Sequence, residues 1–176
     1  MDDMVPFGSR DYFLFLALLA FSRGMDILST WVATPNMVLE GNPLAKRLGW
    51  TGGIIVSLIM SFGFALWPLP AIVISTTSLL VAARNFQHAW LMRSFGEEPY
   101  RTWHVARIQE TRISLYLFCL FAQTALIAVV GVALIYFSPP SAHLVPAAIG
   151  LGIIAYAAAV AFFTLLSVWR MRRSAG

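Results

Sequence analysis

The stretch TGGIIVSLIMSFGFALWPLPAIVISTTSLLVAARNFQHAWLM, residues 51 to 92, decides the fold. As one helix rising about 1.5 Å per residue, its 42 residues would reach about 63 Å. That is roughly twice the 30 Å hydrocarbon thickness of a bilayer. The run must turn, and WPLP, residues 67 to 70, is where it does so, because two prolines remove backbone donors and push the residues before them out of helical conformation. Two spans result, residues 52–66 and 71–92, the first of them short.

The same apolar character extends outward in both directions. Of 176 residues 59% are hydrophobic and 11% charged, which excludes an ordinary soluble domain. Windows long enough to cross a bilayer also cover residues 12–34, 113–137 and 144–169, with a second break at SPPSAH, residues 138 to 143. The expected fold class is therefore all-α, a polytopic membrane protein of about five transmembrane helices forming one integral membrane domain. MDDMVPFGSRDY at the start lacks the basic flank and small-residue cleavage site of a secretory signal, so the first span is expected to be retained.

Basic residues orient the spans. With the N-terminus outside and the C-terminus cytoplasmic, Lys46, Arg47, Arg93, Arg101, Arg107, Arg112, Arg170, Arg172 and Arg173 all fall inside and Arg10 outside. The expected location is the bacterial inner membrane. The net charge of +4 is then a topology signal; the basic residues are spread over three membrane-flanking segments, which argues against a nucleic-acid surface. Trp31, Trp50, Trp67, Trp90 and Trp169 fall near span ends, as interfacial anchors do. Cys119 is the lone cysteine, so no intrachain disulfide forms, and it reads as a small buried apolar residue.

Polar residues inside the spans are the functional signal. A carboxylate near a helix centre costs at least about 2.5 kcal/mol on insertion scales, so Asp26 needs a partner or water. Arg23, three residues back on the same helical face, is the local partner, and that pair alone would be structural. A depth count adds Arg84: Asp26 is about 21 Å below Tyr12, and Arg84 about 20 Å below Ala71. Asn85 and His88 continue a polar stripe from Arg84 in RNFQH. Pro35 ends the first helix, and Gly41 with Pro43 makes a rigid turn that carries Glu40 and Asn42 to the same side.

These residues define an expected cytoplasm-facing site. Asp26, Glu40 and His88 are candidate catalytic acid and base groups and candidate ligands of a divalent metal ion, since carboxylate and imidazole suit magnesium, manganese or zinc. Arg23, Arg84, Asn42, Asn85 and His104 are candidate substrate-binding groups, the guanidiniums for a phosphate or carboxylate. The bland alternatives are that Glu40 and Asn42 cap helix ends and that His88 is an interfacial hydrogen-bonding residue. The polar connection from Arg93 to Arg112 reads by default as a solvated loop, and as a lid it would bring Arg101 or His104 over the site.

Asp26, Ser29 and Thr30, followed by Glu40, Gly41, Asn42 and Pro43, resemble a pattern in a group of small bacterial multi-span membrane proteins with no established activity. Those proteins share a first-helix aspartate, Thr or Ser within about a turn, and a Glu-x-Asn-Pro loop. The resemblance covers about residues 22 to 50. It implies a helical membrane fold, points at Asp26, Glu40 and Asn42, and names no reaction.

Three functions remain open on the sequence. One is a metal-dependent enzyme acting on an anionic lipid-linked or interfacial substrate. Another is a small transporter or ion pathway in which Asp26 changes protonation. The third is a non-catalytic subunit of a membrane complex. Expected partners are membrane lipids and a second copy or a partner membrane subunit, with no nucleic acid. The last two spans look like scaffold or an oligomer interface, with Ala155 and Ala159, and Ala157 and Ala161, at the spacing that permits close helix contact.

Overall fold

Ser9 begins the first helix by accepting a hydrogen bond from the Tyr12 N–H at 3.2 Å, satisfying one of the donors that a helix start leaves free. In the computed structural model, which describes residues 4–40, 42–139 and 144–173, this helix, α1, runs Arg10–Ala33 and stops two residues before Pro35. The others are α2 (Pro43–Phe64), α3 (Pro68–Phe95), α4 (Glu97–Glu110), α5 (Ile113–Tyr136) and α6 (Leu144–Arg173). All the described elements are helical. Five of them, all but α4, are long and apolar enough to cross a membrane.

WPLP does end one span and start another: Trp67 is the N-cap of α3 and Pro68 its first residue, where a missing N–H costs nothing. The second span begins earlier than residue 52. Asn42 caps it, its side-chain oxygen accepting from Leu44 N at 3.0 Å, and Pro43 occupies the first turn. The early turn is then broken at Gly49, whose φ of 65° and ψ of −171° no helix contains and which glycine adopts without a Cβ penalty. Trp50, just after the kink, donates from Nε1 to the Pro35 carbonyl at 3.0 Å and ties α2 to the end of α1.

The connection from Arg93 to Arg112 is not a loop. Gly96, with φ of 82°, turns the chain out of α3. Glu97 and Glu98 then open α4 and Arg107 closes it, each charge favourable to the helix dipole. Its 14 residues are too polar to cross a membrane, and its end is fastened to α6 by Arg172, which donates to the Ile108 and Thr111 carbonyls at 2.9 and 2.7 Å. Gly41 of the expected turn and residues 140 to 143 of the expected break lie outside the described residues.

Two bundles share α3. At one end of the molecule Tyr12, Leu19, Ala65 and Ala71 join α1, the end of α2 and the start of α3. On the other side Leu120, Tyr156 and Val160 of α5 and α6 pack with Leu80 and Val81 of α3. Backbones come very close there: a Cβ built on Gly150 would lie 2.5 Å from the Gly131 carbonyl oxygen, and one on Gly131 would lie 2.6 Å from that of Gly150. Among helices in lipid, such small-residue contacts replace the hydrophobic drive that water supplies elsewhere.

Large apolar side chains cover the outside, among them Phe21, Ile59, Phe118, Leu126 and Phe162, all more than 60% exposed. That is the surface of a multi-pass membrane protein. The helix order puts the nine basic residues of the connections and the C-terminal helix at the end where α1 finishes, and Arg10 at the other.

Candidate functional site

Arg23 and Asp26 sit one turn apart on α1, and the guanidinium Nη1 donates to Asp26 Oδ2 at 2.8 Å. The pair does more than neutralise itself. The guanidinium also meets hydroxyls of two neighbours, Ser78 of α3 at 3.2 Å and Ser57 of α2 at 2.9 Å. One guanidinium therefore holds three helices together. Its Nε is buried and has no hydrogen-bond partner.

Ser57 and Ser78 belong to a wider pattern. The buried polar residues of α1, α2 and α3 are Ser22, Ser29, Ser57, Ser61, Ser75 and Ser78. Ser22, Ser29 and Ser61 donate to carbonyls of their own helices, which satisfies them locally and leaves oxygen lone pairs in the seam. Ser75, near the start of α3, is buried with no partner for its hydroxyl. From Ser61 and Ser75 through Arg23 to Asp26, the interface of the three helices is lined with hydroxyls and charge where lipid-facing surfaces are apolar.

Glu40 completes the basic end of this seam. It stands in the connection after α1 and accepts from the Asn42 backbone N–H at 2.7 Å. Its carboxylate lies within electrostatic reach of Asp26. The connection is shaped by Met37, a non-glycine residue at φ of 55°, a conformation that costs roughly 1 kcal/mol or more and persists only where its surroundings enforce it. Glu97 at the start of α4 supplies the enforcement. Its carboxylate accepts from the Thr34 hydroxyl at 2.7 Å, from the Asn36 N–H and side-chain amide at 3.0 Å each, and from the Val38 N–H at 3.2 Å. Partial burial alone would push the Glu97 carboxyl up, but these four donors outweigh it and hold it below the usual value. A cleft of about 370 Å³ between Asn36, Val38, Met92, Arg93 and Glu97 opens beside this clamp.

The other expected site residues separate. Asn85 of α3 faces α1, donating from Nδ2 to Ser29 and Thr30 at 3.2 Å each. Arg84 does not pair with Asp26; it points to the α5 side of α3, within electrostatic reach of Tyr116. Equal depth does not imply equal direction, since adjacent helical residues are turned by about 100°. Asn42 is a helix cap. His88 is exposed, its Nδ1 2.9 Å from the Arg84 carbonyl. His104 stacks on Tyr100 in α4, ring centroids 5.8 Å apart, and is held below the ordinary imidazole value by burial and, secondarily, by His88. The two histidines form their own neighbourhood, apart from the carboxylates.

Among the described residues no three of His, Cys, Asp and Glu come together as a group that could hold a metal ion. Cys119 is exposed on α5 and not buried. Sequence reasoning missed Ser57, Ser78 and Glu97. The serines carry no signal singly, but six serines within three consecutive spans were countable. Glu97 was readable only as one of two acids opening a polar stretch.

No family model matches the chain, and comparison with curated proteins and with solved structures gives no match either.

Proposed function

We propose that this multi-pass membrane protein carries a proton, or a small cation in its place, through the α1–α2–α3 bundle, with Asp26 and Glu40 as the accepting carboxylates. The observation that supports this reading is the Arg23–Asp26 pair set in a hydroxyl-lined seam between α1, α2 and α3, with Glu40 in the connection after α1 within electrostatic reach. A purely structural ion pair is complete with Arg23 and Asp26. A second carboxylate within electrostatic reach adds repulsion, which a bound cation relieves. Charged groups at membrane depth commonly mark ion pathways and proton relays.

Each group then has a part. Asp26 accepts the proton, and its carboxylate charge disappears. Arg23 then loses its anionic partner and keeps only Ser57 and Ser78, so protonation and the contact among three helices are coupled. Glu40, on the connection held by Glu97, exchanges the proton with water at the basic end. The distribution of Lys and Arg favours a cytoplasmic placement of that end.

A second reading has one observation in its favour. Arg84 is half-buried and forms no ion pair among the described residues, while Lys46 and Arg47 are exposed at the same end. That suits an enzyme that binds an anionic headgroup, with Asp26 and Glu40 as acid and base.

Proton flux separates the two. In vesicles loaded with a pH-sensitive dye and given a potassium diffusion potential, the protein is expected to accelerate acidification or alkalinisation, Asp26→Asn to abolish it, and Glu40→Gln to reduce it about tenfold. Flux equal to that of protein-free vesicles, or unchanged by either substitution, overturns the proposal.

A further inference from the structure

Gln123 is the eleventh of 24 residues in α5, so it lies about 15 Å from the helix start, at the middle of a hydrocarbon layer. Its helix is the most apolar of the five long ones. Yet Gln123 is exposed, and no hydrogen bond is made to it among the described residues. The buried positions of α5 are Leu120, Thr124 and Gly131, which face α6 and α3. Cys119, Leu126 and Val130 share the face of Gln123 and are exposed as well.

A carboxamide has two N–H donors and a carbonyl acceptor. Acyl chains satisfy none of them, so a bare glutamine at this depth is a cost that a monomer retains and that another polar group would remove. Unlike a charge, the group is its own complement. When two copies are related by a two-fold axis along the membrane normal, Gln123 meets Gln123, each amide donating to the other carbonyl. Interhelical bonds of this kind hold helices together in lipid. We propose that the exposed face of α5 is the contact between two copies of this chain, centred on Gln123. This rests on α5 alone and is independent of the role of Asp26.

The native cysteine makes the test specific, since Cys119 lies one turn from Gln123 on the same face and is the chain's one thiol. Single-molecule photobleaching of full-length protein, dye-labelled at its C-terminus and dilute in lipid, is expected to show mostly two-step traces. Copper–phenanthroline oxidation of the same vesicles is expected to yield a Cys119-linked dimer. Gln123→Leu should lower the two-step fraction at least tenfold, and Gln123→Asn should keep it. Single-step bleaching of the wild type, dimers that Cys119 does not cross-link, or an unaltered Gln123→Leu variant would each overturn the proposal.

Discussion

Arg23→Leu is expected to destabilise the protein by about 3 kcal/mol, the low end of what breaking a buried ion pair costs. The low end is appropriate because the pair is not sealed: the Arg23 and Asp26 side chains are 25% and 19% exposed. The loss has a ceiling as well. An unpaired Asp26 has the option of protonating, which at pH 7 costs about 4 kcal/mol for a carboxyl of ordinary affinity. Ser57 and Ser78 contribute little to the total, since each hydroxyl has helical carbonyls within reach once the guanidinium is gone. The double variant Arg23→Leu/Asp26→Leu should therefore recover most of the loss, because it leaves no unpaired charge behind. Reversible unfolding in mixed micelles measures both. A double variant as unstable as the sum of its parts would show that the pair is not the unit holding α1, α2 and α3.

Gly150→Ala should cost about 2 to 3 kcal/mol, the upper part of the range for overpacking. The new methyl meets the backbone oxygen of Gly131 at 2.5 Å and Ile135 Cγ1 at 2.7 Å, and a backbone cannot rotate aside as a side chain can. The helices must separate, and the close contact between α5 and α6 goes with them. Gly131→Ala should behave alike, and the two together should cost clearly less than their sum, because the first already parts the backbones. Gly53→Ala is the control. Nothing lies within 4 Å of its added Cβ, so within α2 the substitution should be neutral or stabilise by up to about 1 kcal/mol. Equal losses at Gly53 and Gly150 would mean that close packing is not what the α6 glycine provides.

How much of this could be read from residues alone depends on which physical term decided each feature. The spans were legible because length and apolarity are properties of a stretch, and WPLP fixed the one ambiguous division. The early start of α2 was not, since residues 43 to 48 carry a proline and two charges and the helix there owes its existence to Asn42 and Pro43 capping it. α4 was hidden by composition: EEPYRTWHVARIQE has proline and scattered charge, and its helicity comes from end charges and from Tyr100 and Ile108 buried beneath it. Within the site, Arg23 and Asp26 were legible because their spacing is local. The depth count matched Arg84 to Asp26, but the packing of α3 between α1 and α6 makes Asn85 the residue that faces α1, where it bonds Ser29 and Thr30. The course of the connection that carries Glu40 depends on Met37 in a left-handed conformation, between residues that Glu97, some sixty residues away, holds. No local rule predicts that turn from a methionine.

The account stands on Asp26 and Glu40 forming one site open to water at the basic end. Paired cysteines, Asp26→Cys with Glu40→Cys in a Cys119→Ser background, test it most directly. A short bifunctional thiol reagent should link the two positions. A membrane-impermeant thiol reagent should block that link when added on the side that carries Arg93 and Arg170, and not from the other. Two thiols that cannot be joined, or that react only from the end carrying Arg10, would contradict the account.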